Sequence, residues 1–122
     1  MSDLIDQWIS LKETDGGKVF WPAFHKVVMK PLVESFQEDR EGLVWNLRER
    51  LGGRVVEGGD VAIEVIAFPE IFVRIIFWEG EEDLPDEGTM MFDRELNGVY
   101  SMEDVSALLL YIVREAKNLD YL

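Results

Sequence analysis

The sequence contains no cysteine, one histidine and few basic residues. Without thiols the chain cannot form disulfides, thiolate zinc sites, iron–sulfur clusters or a cysteine nucleophile. A lone imidazole, His25, cannot build a multi-histidine metal site. The 12 Lys and Arg residues against 25 Asp and Glu residues give a net charge of -13. This charge disfavours nucleic acid and anionic lipid as partners, because both are bound through positive side chains.

Long apolar runs are also missing. No run approaches the roughly 20 residues that cross a bilayer, and residues 1–4 lack the basic and apolar regions of a signal peptide. These absences predict a cytoplasmic protein with no membrane partner. The chain has 122 residues, of which 48% are hydrophobic and 30% charged, and this balance predicts one globular domain over residues 1–122.

Hydrophobic periodicity predicts the secondary structure. Helical spacing indicates helices from about residue 22 to 36, over 40–51, and after Ser101. Pro31 interrupts the first of these, so the helix either kinks there or ends and a second helix begins. Strands are predicted at residues 8–11, 54–57, 61–66, 71–78 and 89–92. The order predicts an α+β fold with a largely antiparallel sheet of four to five strands packed against about three helices.

Helix ends have their own signals. Ser101 and Asp104 have the spacing of a capping box at the start of the last helix, and Gly52-Gly53 supplies a left-handed stop after residue 51. The apolar stripe predicted for the last helix consists of Val105, Leu108, Leu109, Ile112 and Ala116.

The strand predicted at residues 71–78 is apolar on both faces except at Arg74. A strand that is solvated on one side alternates apolar with polar residues. We therefore expect a central strand with helices on one face and another cover on the other, for which a subunit interface is one candidate.

An acidic segment follows that strand directly. Residues 79–87 contain six carboxylates and no basic residue, and they come immediately after Trp78. At this junction we expect an apolar wall formed by Trp78 beside an acidic rim formed by the carboxylates that follow it. Arg74 is on the same strand face as Trp78 and could pair with one of these acids. The predicted binding residues are Trp78, Glu79, Glu81, Glu82, Asp93 and Arg74.

Asp93 is included because a hairpin could direct it back toward Glu81 and Glu82. Converging carboxylates could perform acid–base chemistry or bind calcium or magnesium. However, the spacing is not that of an EF-hand, Pro85 stiffens the segment, and a solvated hairpin connection is the competing interpretation.

Two functional hypotheses follow. The first is a non-enzymatic binding or interaction domain that self-associates and uses the junction from Trp78 to Glu82. The second is a small metal- or cofactor-dependent enzyme, or its accessory subunit, whose active groups are Glu81, Glu82, Asp93 and His25. Neither Gly-x-Ser-x-Gly nor a phosphate-binding loop is present, and the sequence specifies no cofactor.

An ordered series of short motifs extends over most of the chain. The motifs are Trp8-Ile9-Ser10-Leu11, Gly16-Gly17, Phe20, Phe24, Leu51-Gly52-Gly53, Asp60, Phe68-Pro69, Phe77 to Glu82, Phe92-Asp93 and Ser101 to Asp104. From about Trp8 to Ala116 this series resembles a family of prokaryotic domains of unknown function, DUF3786.

The resemblance implies no activity. It implies that a segment commonly precedes the point matching Trp8, that some members carry an iron–sulfur module, and that this chain corresponds to the C-terminal part. A partner chain replacing the N-terminal half is therefore an alternative to a homo-oligomer.

Overall fold

A computed structural model describes residues 8–10, 13, 17–68, 71–96 and 100–117. The sequence Thr14-Asp15-Gly16-Gly17 is a turn signal, of which the structure describes only Gly17, and Pro69, expected to end the strand before it, lies outside the described residues. The elements are β1 (Trp8–Ser10), α1 (Gly17–Phe24), a π-helical turn (His25–Met29), α2 (Lys30–Glu38), α3 (Arg40–Leu51), β2 (Arg54–Val56), β3 (Val61–Phe68), β4 (Ile71–Trp78), β5 (Glu87–Asp93) and α4 (Met102–Ala116).

The five strands form one antiparallel sheet in the order β1-β5-β4-β3-β2. This arrangement confirms the predicted α+β fold and places β4 at the centre of the sheet. The predicted bounds of β4 and α3 are correct, whereas β5 extends beyond the predicted 89–92 at both ends.

One face of the sheet forms the core with the helices. Register places Ile63 opposite Ile75, and Ile75 opposite Met90 on the next strand. All three side chains are buried, and the ring of Phe77 on the same face stacks on Phe36 of α2 with centroids 4.3 Å apart. This layer of large apolar side chains is the main source of stability, because burying each one contributes roughly 1.5–3 kcal/mol.

The first helical segment runs without a break through Pro31. The π-helical turn precedes this proline, and the N–H of Lys30 donates to the carbonyl of His25, five residues back. Proline lacks an N–H and crowds the carbonyl four residues before it, so a wider turn accommodates the lost bond. The chain therefore stays helical through the proline, and α2 begins at Lys30 with Pro31 in its first turn, close to the second helix that the sequence predicted as one alternative. The turn adds a residue to the repeat and leaves Val27 51% exposed, although the helical spacing of residues 22–36 counts Val27 among the apolar positions of this helix.

The other helices begin and end as the sequence predicts. Gly52 ends α3 in the left-handed region with φ 58°. Ser101 caps α4, its Oγ accepting from the N–H of Asp104 at 3.2 Å. The whole stripe predicted for α4 is buried. No helix within the described ranges combines the length and apolarity needed to cross a membrane.

The opposite side of the sheet is named the outer face here. Strand alternation and register define its members. They are Trp8, Ser10, Arg54, Val56, Ala62, Glu64, Ile66, Phe72, Arg74, Ile76, Trp78, Glu87, Thr89, Met91 and Asp93.

Candidate functional site

Trp78 ends β4 at one corner of the outer face and is 42% exposed. The turn between β2 and β3 packs beside it through Gly59, which has φ 49°. A Cβ at Gly59 would lie 2.6 Å from the carbonyl oxygen of Phe77 and 3.1 Å from Nε1 of Trp78. Only glycine therefore lets this turn approach the indole so closely, and the turn supports one side of Trp78.

Glu79 anchors the chain as it leaves β4. Its N–H donates to Oδ2 of Asp60 at 2.6 Å, and its carboxylate forms an ion pair with Arg40 at the start of α3. The Arg40 guanidinium lies 4.4 Å from the ring centroid of Phe36. These contacts join the acidic segment to both the sheet and the helices, so Glu79 has a structural role.

The acidic loop, residues 79–86, is a compact turn closed by its own backbone. The N–H of Gly80 donates to Oδ1 of Asp86 at 2.7 Å, and the N–H of Leu84 donates to the carbonyl of Glu81 at 3.0 Å. A Cβ at Gly80 would overlap the carbonyl oxygen of Leu84. Glu81 and Glu82 remain exposed to solvent. This geometry is that of a solvated hairpin connection.

Asp93 lies far from this loop. It ends β5 opposite Trp8, whereas Glu87 at the start of β5 pairs with Trp78. Six residues of extended strand separate the two acids, which corresponds to roughly 20 Å. Oδ1 of Asp93 accepts from the N–H of Glu95 at 3.0 Å. The structure therefore does not bring Asp93 to Glu81 and Glu82.

Arg74 pairs with a different acid from the one expected. It lies opposite Glu64 of β3, and its Nε donates to Oε1 of that carboxylate at 2.9 Å. The other oxygen, Oε2, accepts from Nε and Nη2 of Arg54 at 3.1 and 3.0 Å. The Arg74 guanidinium also lies 4.3 Å from the ring centroid of Trp8. The predicted pairing of Arg74 with the acidic loop is wrong, because Arg74 lies four residues before Trp78 and directly beside Glu64.

Glu64 is the residue that the sequence analysis missed. Its side chain is 3% exposed. Among the residues that the structure describes, Glu64 is the charged residue that is buried. The available signal was the ten-residue spacing of Glu64 from both Arg54 and Arg74, which a hairpin register can place side by side. Only the register itself selects this pairing.

The groups of the enzyme hypothesis lie on three different elements. His25 is exposed on the π-helical turn, Glu81 and Glu82 are on the acidic loop, and Asp93 is at the far end of β5. Within the part of the chain that the structure describes, no three His, Asp or Glu side chains come together as a metal site requires.

Trp78 also borders a large groove of about 1050 Å³. This groove, named the β5 groove here, follows the start of β5. Its walls are residues of β5, the acidic loop and the helical layer. The lining residues are Ser10, Pro22, His25, Lys26, Lys30, Val33, Glu34, Gln37, Trp78, Pro85, Asp86, Glu87, Gly88 and Thr89.

Two of the described tryptophans are exposed. Trp45 is 64% exposed and Trp78 is 42% exposed, whereas Trp8 is half-buried. Exposed indoles are available for contact with a partner.

Comparison with known families and proteins places the chain in one family. The model of the domain of unknown function DUF3786 matches residues 2–115. Comparisons with curated proteins and with solved structures give no match. The match extends over nearly the whole chain, as the motif series predicted, and the protein belongs to the DUF3786 family.

Proposed function

We propose that the protein is a non-enzymatic interaction domain that self-associates through the outer face of its sheet, with Trp78 at the border of the interface. The observation that carries this proposal is that the outer face is both apolar and nearly neutral in a chain of net charge -13. Partner-binding surfaces are enriched in aromatic residues and Met, and the outer face carries Trp78, Phe72 and Met91.

Apolar side chains form a band across three strands of the outer face. Ile66 lies opposite Phe72, and both Ile66 and Trp78 are 42% exposed. Phe72, Ile76 and Met91 are half-buried. The register places Ile66 and Phe72 on one side of the Glu64–Arg74 pair and Ile76 on the other, so apolar side chains flank this ion pair on both sides.

The charges of the outer face nearly cancel. The face carries two arginines and three carboxylates, a net charge of -1. Two copies can therefore meet face to face without bringing large like charges into contact, while most of the negative charge stays away from the interface. A basic partner would be attracted to other surfaces of the molecule more than to this one.

The charged centre of the face can be covered without losing its partners. Both oxygens of Glu64 already accept from arginine, and no buried side-chain polar atom among the described residues lacks a hydrogen bond. A buried charge is costly mainly when it has no partner. The cluster of Glu64, Arg54 and Arg74 therefore allows a second copy to pack on the face.

The size of the face fits a weak dimer. Three strands about 25 Å long and two about 10 Å long, spaced about 4.8 Å apart, give a projected area of roughly 450 Å². The accessible area exceeds the projected area because the side chains protrude, and a typical stable interface buries about 800 Å² per partner. We therefore expect dissociation in the micromolar range.

Sedimentation velocity over a concentration series tests the proposal. We expect dimer at tens of micromolar, and we expect Ile76→Glu to give monomer because it places two carboxylates inside the closed interface. Trp45→Glu is the matched control: it removes an exposed apolar side chain from α3 and should leave the dimer intact. A wild-type chain that stays monomeric up to about 200 µM would refute self-association.

Salt dependence separates a second copy from an oppositely charged partner. Screening weakens the repulsion between two chains of net charge -13, so dimerisation should strengthen between about 0.05 and 0.5 M NaCl. Association with a basic chain should weaken over the same range. Dimerisation that weakens with salt would contradict the face-to-face arrangement.

A further inference from the structure

We infer that two copies meet with their two-fold axis parallel to the strands and between β3 and β4, so that Arg74 of each copy lies over Glu64 of the other. These two residues then determine how the outer faces are aligned, and they select a second copy of this chain as the partner. The inference rests on the proposed self-association, because it specifies the arrangement of the same face.

Three of the five charged side chains of the outer face lie in one row across the strands. The registers place Glu64 opposite both Arg54 and Arg74, and Arg74 opposite Met91 on the next strand. The sign therefore alternates along the row, from positive at Arg74 to negative at Glu64 and positive again at Arg54. The arginine side chains are 29% and 60% exposed, whereas Glu64 is covered by them. A second copy therefore contacts this row mainly through the arginines.

The neighbouring rows carry no charge on the central strands. Phe72 lies opposite Ile66 on one side of the charged row, and Ile76 lies opposite Ala62 on the other side. Alternate residues of a strand point to the same face, so these rows flank the charges directly. Charges that are pressed against apolar side chains lose water without gaining a partner, which is costly. A favourable alignment must therefore place the charged row of one copy on the charged row of the other.

Rotation about an axis parallel to the strands keeps every row in place and exchanges the strands. When the axis runs between β3 and β4, β4 of one copy lies over β3 of the other, and β5 lies over β2. Opposite charges then face each other, and apolar side chains face apolar ones. The facing pairs are Arg74 with Glu64, Met91 with Arg54, Phe72 with Ile66, Ile76 with Ala62 and Thr89 with Val56.

The two remaining carboxylates of the face fit the same arrangement. Glu87 and Asp93 lie at opposite ends of β5. In the other copy β2 lies over β5, but it consists only of residues 54–56 and is too short to reach either end. No carboxylate of the outer face therefore meets a carboxylate of the same face in the second copy.

Other axes give poorer contacts. An axis that crosses the strands over the charged row places Arg74 on Arg74 and Glu64 on Glu64, and an axis along β3 or β4 itself also stacks one of these like pairs. An axis that crosses the strands beside the charged row places Arg74 on Ile76 and Asp93 on Glu87. Like charges facing each other in an interface suppress binding. The register of the sheet therefore favours the axis between β3 and β4.

Chemical cross-linking measures the alignment, because the chain has no cysteine and each introduced thiol is unique. Thr89→Cys and Val56→Cys are mixed at tens of micromolar and treated with a short bis-maleimide. We expect a covalent dimer with one chain of each variant, since these positions face each other. The matched control mixes Thr89→Cys with Met91→Cys. In the inferred arrangement the β5 strands of the two copies are three strand spacings apart, roughly 14 Å, so this mixture should give at most about one-fifth as much product.

Introduced charge tests the same contacts without a cross-linker. Met91→Glu places a carboxylate over Arg54 of the other copy, whereas Thr89→Glu places one over Val56 and changes the net charge equally. We expect the Met91→Glu dimer to have a Kd at least about fivefold lower than the Thr89→Glu dimer. Adding Arg54→Gln to both variants should remove the difference, while the neighbouring Arg74 stays in place. Equal Kd values for Met91→Glu and Thr89→Glu would refute the arrangement.

The outcomes separate this arrangement from self-association itself. A wild-type chain that stays monomeric refutes both. A wild-type dimer that Ile76→Glu dissociates, but in which Thr89→Cys cross-links to Met91→Cys rather than to Val56→Cys, refutes only the arrangement. Absence of product from both mixtures, when sedimentation shows that each cysteine variant still dimerises, also refutes it. Circular dichroism verifies that every variant folds.

Discussion

Glu64→Gln is the sharpest test of how the outer face is held together. The substitution keeps the size and shape of a side chain that is 3% exposed but removes its charge. Glutamine can accept hydrogen bonds through only one oxygen, whereas Glu64 accepts through both. An amide turned toward Arg54 would place N–H donors against the two guanidinium donors that now reach Oε2.

The expected loss follows from the geometry. A hydrogen bond to a charged group contributes about 1.5–3 kcal/mol. The low end applies here, since the Arg54 side chain is 60% exposed and can rehydrate. We therefore expect a loss of about 2 kcal/mol in the free energy of unfolding. The unfolding entropy is about 2.1 cal/mol/K per residue, so a loss of about 2 kcal/mol lowers the melting temperature of this 122-residue chain by about 8 °C.

Thermal unfolding followed by circular dichroism measures this difference. One fixed concentration near 5 µM is required, because association of folded chains would raise the melting temperature. Glu57→Gln in the exposed turn between β2 and β3 is the matched control and should change stability by less than about 0.5 kcal/mol. A Glu64→Gln variant that melts within about 2 °C of wild type would refute the stabilising role of the cluster. A double-mutant cycle with Arg74→Met should give a coupling of at least about 1 kcal/mol.

Substitutions at three other positions test local features. Ser101→Ala should lower stability by about 1 kcal/mol, whereas Ser101→Asp should retain the cap of α4; equal melting of both variants would contradict this. Gly52→Ala should cost about 1 kcal/mol through its positive φ alone, since its only close neighbour is Cδ1 of Ile66 at 3.7 Å; unchanged thermal stability would argue against the left-handed stop. Gly80→Ala should open the acidic loop and speed limited proteolysis within it; an unchanged cleavage rate would show that the loop does not depend on close packing against Leu84.

Much of the fold was predictable because several signals agreed. In α4 the capping residue Ser101 and the apolar stripe both indicate one helix, and both are confirmed. In β4 apolar residues on both faces indicate a central strand, which the sheet order confirms. The π-helical turn before Pro31 was not predictable, because a proline in a helical pattern is compatible with a kink, a break or a wider turn.

The candidate site was predictable only in part. Trp78 lies at a corner of the outer face and beside the β5 groove, where an apolar wall beside an acidic rim was expected. The partner of Arg74 and the position of Asp93 were not predictable. Both depend on which residues face each other across strands, and a shift of one residue in register changes every such pair.

The sequence by itself determined the charge balance, the class of fold, the central strand and the family resemblance, since these depend on composition, periodicity and motif order along the chain. Only the tertiary structure decided that Glu64 is buried between two arginines and that the outer face is nearly neutral. Only the structure showed that Trp78 borders a groove lined by the start of β5, the acidic loop and the helical layer. The physical reason is that hydrophobic periodicity specifies which side of each element is buried, whereas ion pairs and open strand edges depend on how separate strands align.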